Sequence, residues 1–194
     1  MRVTLPLLLV FCSFLLCVFL AACQPKQAPL RVYREHEVSP DAGGRMLDGQ
    51  GTPISGILRT YSPEGMLEQE ITFSAGMRHG RMQSYYESGR IRERLAYAHG
   101  LLSGPGETYY PDGRLEMECP SLDGKKSGVW KHYYDDGTLE SESPYDDDQA
   151  HGVWKQYDEN GRLAREITFV HGKVYGAARE YGADGRVLSE VHAR

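Results

Sequence analysis

Four histidines fall in matched places, His79 with His99 and His151 with His171, the second pair 72 residues after the first. If each pair lies diagonally across two strands, its rings are within reach of a shared ion. A metal site needs three or four ligands and each pair supplies two. The pairs themselves are three hairpins apart, roughly 30 Å at sheet spacing, so they do not combine. Turn-edge histidines open to solvent are the better reading. Asp146, Asp147 and Asp148 are contiguous, whereas a calcium loop alternates its carboxylates and follows them with glycine. No Gly-x-Ser-x-Gly, phosphate-cradling glycine loop or His-Glu-x-x-His occurs. The many carboxylates recur in register, and none forms a pair whose environments would set an acid apart from a base. The expectation is a protein with no catalytic residue, no metal and no cofactor: not an enzyme.

The first residues need a different chemistry. "MRVTLPLLLVFCSFLLCVFLAACQPK" has one charge, Arg2, before an uncharged apolar run from Val3 to Ala22, the pattern of a targeting segment. "LAAC", Leu20 to Cys23, resembles the lipobox of bacterial lipoproteins. That resemblance implies cleavage after residue 22, a diacylglycerol on the Cys23 thiol and an acylated new amino terminus. Gln24, where Asp is associated with inner-membrane retention, implies the outer membrane with the chain facing the periplasm. An uncleaved membrane-spanning helix is the alternative, since the run is about long enough to cross a bilayer. Residues 24–44 contain Pro25, Pro29 and Pro40 among mixed charges and read as a flexible tether. The expected divisions are therefore a leader at 1–22, a lipidated end and tether at 23–44, and a folded domain at 45–194.

Once Cys12 and Cys17 leave with the leader and Cys23 is acylated, Cys119 stands alone, which excludes an intramolecular disulfide framework. It is then either a small buried hydrophobe or an exposed thiol able to bond another chain. Without Arg2 the chain carries 21 Lys and Arg against 27 Asp and Glu, which argues against nucleic acid or anionic headgroups as partners of the whole surface.

From residue 45 onward one unit recurs. Glycine stands at 56, 80, 104, 128, 152 and 176, tyrosine at 61, 85, 109, 133, 157 and 181, and a second glycine at 65, 89, 113, 137, 161 and 185. Each column steps by 24 residues without an insertion, the mark of a repeat architecture. Glu70, Glu118, Glu142, Glu166 and Glu190 form a fourth column, broken by Arg94. Within a unit, "YYPDGRLEME" or "YDENGRLARE" puts Asp-Gly or Asn-Gly between short runs of alternating character, a hairpin signal. A three-residue loop with a left-handed glycine pairs Tyr61 with Leu67, Tyr85 with Ile91, Tyr109 with Leu115, Tyr133 with Leu139, Tyr157 with Leu163 and Tyr181 with Val187. Second turns such as "GMRHG" join each hairpin to the next. The predicted fold is all-β: an elongated, single-layer antiparallel meander of six 24-residue hairpins, led by a half hairpin at 45–56.

Gly-x-Trp-x-x-Tyr-Tyr, an Asp/Asn-Gly turn, then Leu-x-x-Glu and a glycine-rich second turn resemble the MORN repeat, and more closely the variant in the YwqK-like antitoxin group. That family implies binding or scaffolding without catalysis, and the antitoxin grouping implies a toxin as partner. With the lipobox, the expected function is a lipid-anchored periplasmic protein that binds a protein partner, as an antitoxin or immunity protein. A structural envelope scaffold, bridging the outer membrane to an assembly or to peptidoglycan, is the alternative. Specific recognition should use columns where units differ. Trp130 and Trp154 stand where other units have Leu58, Met82, Gly106 and Ala178. By period two, Tyr86, Tyr110 and Tyr134 share their side of the sheet. These five side chains are the expected partner-binding strip, unless they pack on neighbouring long side chains and only thicken the sheet.

Overall fold

The computed structural model describes residues 29–193. The expected leader, the lipidation site Cys23 and the first residues of the tether lie outside the described residues. Eighteen strands follow in order: β1 (Val32–Arg34), β2 (Val38–Pro40), β3 (Met46–Asp48), β4 (Gly56–Tyr61), β5 (Leu67–Ser74), β6 (Met77–Tyr85), β7 (Ile91–Ala98), β8 (Leu101–Tyr109), β9 (Leu115–Glu118), β10 (Ser121–Leu122), β11 (Lys125–Lys126), β12 (Gly128–Tyr133), β13 (Leu139–Asp146), β14 (Gln149–Ala150), β15 (Gly152–Tyr157), β16 (Leu163–Val170), β17 (Lys173–Tyr181) and β18 (Val187–His192). The described residues hold no α-helix, and β2 is preceded by a single 3₁₀ turn, Glu35–Glu37.

One sheet runs β1-β4-β5-β6-β7-β8-β9-β12-β13-β15-β16-β17-β18. Its six hairpins are β4–β5, β6–β7, β8–β9, β12–β13, β15–β16 and β17–β18. All six tyrosine–aliphatic pairs form in the expected register. The tight turns are the expected three-residue loops. In the third hairpin Tyr110 and Arg114 close the loop (N to O 2.9 Å), and the Gly113 N–H reaches the Tyr110 carbonyl at 2.8 Å. Gly113 is left-handed, with φ +96°, where a side chain would be strained. Each second turn is also left-handed at both central residues: Ala75–Gly76, His99–Gly100, Asp123–Gly124, Asp147–Asp148 and His171–Gly172. This is the twist-matched two-residue hairpin turn, and His and Asp tolerate that conformation better than most side chains. The acidic turn at Asp146–Asp148 is clamped to the preceding one: Asp147 meets Lys125 Nζ at 2.6 Å, and Asp148 accepts the Lys126 N–H at 2.7 Å.

Two residue columns along one face hold the hairpins together. Tyrosine hydroxyls reach back to the glutamate of the preceding hairpin: Tyr85 to Glu70 (2.8 Å), Tyr133 to Glu118 (2.9 Å), Tyr157 to Glu142 (3.1 Å) and Tyr181 to Glu166 (2.7 Å). The break at Arg94 is compensated in kind. Arg94 Nη1 donates to the Tyr109 hydroxyl at 2.8 Å, and that hydroxyl donates to Glu107. Glu107 occupies the column where other units have Arg59, Gln83, Lys131, Lys155 and Arg179. Exchanging the charges on facing strands keeps the pair attractive.

The opposite face is apolar, and its core sits at the N-terminal end. Tyr33, Ile54, Leu58, Ile71, Phe73 and Met82 are buried together, with Val38, Met46, Leu95 and Tyr97 packed against them. The expected tether is corrected here. Residues 31–44 belong to the fold: β1 pairs in parallel with β4, Val32 opposite Ile57 and Tyr33 opposite Leu58. Val38–Pro40 pairs with Met46–Asp48. Further hydrogen bonds run from Met46 N–H to the Gly76 carbonyl (2.8 Å) and from Gly76 N–H to the Ile54 carbonyl (2.8 Å). Burial of Tyr33 and Ile54, about 1.5–3 kcal/mol for each fully buried large apolar side chain, acts together with the strand pairing and these hydrogen bonds to offset the entropy of ordering the segment. One end of the sheet is thereby covered and one strand pair is parallel, the two departures from a bare antiparallel meander.

Candidate binding face

On the apolar face beyond the core, Trp130 in β12 stands opposite Ser143 in β13, and Trp154 in β15 stands opposite Ile167 in β16. Both are half-buried. Their indole N–H groups donate to backbone carbonyls of the preceding hairpin, Trp130 to Pro120 at 2.9 Å and Trp154 to Pro144 at 3.2 Å. Two further rings complete the row. Tyr145 lies 5.9 Å from Trp130 and 5.5 Å from Trp154, and Phe169 lies 4.8 Å from Trp154, centroid to centroid. These are edge and tilted contacts of the kind aromatic pairs prefer. The Lys126 ammonium sits 4.2 Å from the Trp130 centroid and 4.8 Å from that of Tyr145, a cation–π contact with both rings.

The repeat glycines make the row possible. Tyr145 is paired with Gly128 and Phe169 with Gly152. At Gly152 φ is +115°, and an added Cβ would come within 2.9 Å of Pro144 Cγ. The bare backbone lets one hairpin close on the proline of its neighbour and leaves room beside the rings. Tyr145 and Phe169 were missed from the sequence, although they stand in a 24-residue column of Phe73, Tyr97, Ser121, Tyr145 and Phe169.

Tyr86, Tyr110 and Tyr134 are not part of this row, which corrects the expected strip. Each is tied into the tight-turn end of the sheet, its hydroxyl donating to the carbonyl of the tyrosine that ends the next hairpin's first strand. Tyr86 reaches Tyr109 at 2.6 Å, Tyr110 reaches Tyr133 at 2.7 Å and Tyr134 reaches Tyr157 at 2.8 Å. Tyr134 follows the end of β12, four residues beyond Trp130, a separation of about 13 Å at strand spacing.

The remaining candidates lie outside the row. His79 and His99 rings meet at 5.5 Å, and His151 and His171 at 5.0 Å, all four residues exposed at the second turns. Among the described residues no three or more His, Cys, Asp or Glu side chains converge as metal ligands. Cys119 is buried, 9% exposed. Burial first, then Glu93 and Glu107, pushes its thiol pKa up. Gly106, the smallest residue of the tryptophan column, makes room for it, since a Cβ there would lie 2.7 Å from the Cys119 sulfur. The resolved carboxylate shifts at Asp41, Asp112, Asp136, Asp158, Glu166 and Glu190 are all downward, from hydrogen bonds donated to the charged form. A general acid needs the opposite shift.

The family described as the MORN repeat variant is found four times in the chain, at residues 55–75, 78–99, 126–147 and 150–171. These segments fall on the first, second, fourth and fifth hairpins. The third hairpin is built on the same plan but carries Gly106 in the tryptophan column, and Ser121 follows it in the aromatic column. No curated protein matches the chain.

Proposed function

We propose that this is a lipid-anchored envelope protein that binds another protein through the C-terminal half of its apolar sheet face, in the role of an immunity protein against a toxin. The observation that carries the reading is the row Trp130–Tyr145–Trp154–Phe169. Residues 31–54 pack on the apolar face over the first two hairpins, whereas the row lies on the fourth and fifth. Tryptophan and tyrosine anchors dominate protein interfaces, and this row is already held rigid by indole hydrogen bonds, so little side-chain entropy is lost on docking. The lipobox-like "LAAC" and the antitoxin grouping of the resembled repeats favour an envelope toxin as partner.

Removing the tryptophans would also remove their packing, so the test adds bulk instead. Ser143 lies opposite Trp130 on the strand between the two tryptophans. Ser143→Arg should leave circular dichroism and melting near wild type and reduce partner capture from detergent-solubilised membranes at least tenfold. Undiminished capture by the folded variant would remove the face from consideration. A captured partner that is toxic when exported alone and harmless beside this protein supports the immunity role; a partner without toxicity points to the envelope scaffold. Cys23→Ser should abolish labelling by a fatty acid, and label persisting in that variant would end the lipoprotein reading.

A further inference from the structure

At the tight-turn end of the sheet, apart from the tyrosine–glutamate bonds, four of the five seams between successive hairpins are also crossed by a long side chain reaching forward from the earlier hairpin. Tyr86, Tyr110 and Tyr134 cross from the second, third and fourth hairpins through the hydroxyl-to-carbonyl bonds at Tyr109, Tyr133 and Tyr157. Arg90 adds a second crossing from the second hairpin, to the Pro111 carbonyl at 3.1 Å. In the fifth hairpin Asp158 takes the tyrosine column, and Arg162 crosses instead, reaching the Ala183 carbonyl at 3.4 Å. The first hairpin has neither device. Ser62 stands in the tyrosine column and Met66 in the arginine column. The Ser62 hydroxyl is turned into its own loop, accepting from the N–H groups of Glu64 (3.2 Å) and Met66 (3.4 Å).

At that seam lies a hollow of about 840 Å³, lined among others by Thr60, Ser62, Gln69, Tyr85, Tyr86 and Arg92. Its size falls in the range of small-molecule sites. Tyr85 is the residue whose counterparts, Tyr109, Tyr133 and Tyr157, each receive a phenol hydroxyl at the carbonyl.

We propose that this hollow is a binding site for a phenol, whose ring occupies the seam left open by Ser62 and whose hydroxyl donates to the Tyr85 carbonyl. The chain itself identifies the ligand chemistry, because three equivalent seams are filled by the same group on the same acceptor. Half-burial of the ring supplies the apolar contribution, and the fixed carbonyl supplies discrimination against a benzene ring lacking the hydroxyl. The site is at the opposite end of the repeat array from the aromatic row and does not depend on that row binding anything.

The test titrates the full chain with 4-methylphenol, N-acetyl-tyrosinamide and N-acetyl-phenylalaninamide, followed by amide chemical shifts. Saturable shifts at Thr60, Ser62, Gln69 and Arg92 are expected for the phenols, with the phenylalanine analogue about fivefold weaker, the worth of one neutral hydrogen bond. Binding of both phenols identifies a tyrosine side chain as a permitted ligand; binding of 4-methylphenol alone identifies a free phenol. Ser62→Tyr should fill the seam, raise the melting temperature and abolish binding. Ser62→Ala empties the same column without filling the seam and should bind as wild type does, which separates occupancy from damage to the loop. Absence of saturable shifts in the wild type, equal affinity for the phenylalanine analogue, or undiminished binding by Ser62→Tyr would each overturn the site.

Discussion

Tyr85→Phe deletes one hydroxyl from the seam between the first two hairpins and leaves the ring. That hydroxyl donates to Glu70 Oε2 at 2.8 Å, while Glu70 Oε1 is held by Arg59 Nε at 2.6 Å. A hydrogen bond to a charged acceptor is worth roughly 1.5–3 kcal/mol. Glu70 keeps its arginine in the variant and stays 22% exposed, so no buried charge is orphaned and water can replace the lost donor. The expected cost is therefore about 1 kcal/mol at pH 7, which for a domain of this size lowers the melting temperature by about 3 °C. The pH dependence is a second readout. Burial, and next the Glu70 bond, raise the Tyr85 phenol from 10 to about 12. The folded state thus keeps a proton that the unfolded chain has released. Its stabilisation is complete below pH 10 and is lost as pH rises from 10 to about 12. Wild type and Tyr85→Phe should accordingly differ most at neutral pH and converge across that window. Thermal melts followed by circular dichroism between pH 7 and 12, with Glu70→Gln completing a double-mutant cycle, measure both effects. Equal melting temperatures at pH 7 and a coupling near zero would refute the claim that the tyrosine and glutamate columns join the hairpins.

Ile54→Ala should cost about 3 kcal/mol, because Ile54 is 1% exposed at the centre of the core and truncation leaves a cavity; chemical denaturation measures it. Gly152→Ala should cost about 2 kcal/mol or more, from a left-handed backbone at φ +115° and a Cβ 2.9 Å from Pro144 Cγ; an unchanged melt would show that the hairpin joint can move apart. Cys119 should resist iodoacetamide at pH 8 in the native protein and react on unfolding, since burial raises its thiol pKa and reactivity follows the thiolate; rapid native alkylation, read by mass spectrometry, would contradict its placement.

What the sequence determined by itself was everything local to a hairpin. A three-residue loop with a left-handed glycine fixes which residues face each other, so all six tyrosine–aliphatic pairs could be written down before the fold was known. Period two also grouped side chains by face. It says nothing of distance along the strand, and so Trp130 and Tyr134 looked like one strip although the tertiary structure gives them different neighbours. Trp130 meets Tyr145 and Lys126 across the sheet, while Tyr134 meets the carbonyl of Tyr157 in the next hairpin. The glutamate column was visible as a recurrence, but its acceptor role required the tyrosine 15 residues later to be folded alongside it. The N-terminal segment is the extreme case. Prolines and mixed charges in residues 24–44 describe a chain with little propensity of its own. Only the apolar face of the first two hairpins, assembled from residues 58, 71, 73 and 82, offers Tyr33 and Ile54 a place to be buried. That stabilisation comes from contacts between distant parts of the chain, which no local pattern records.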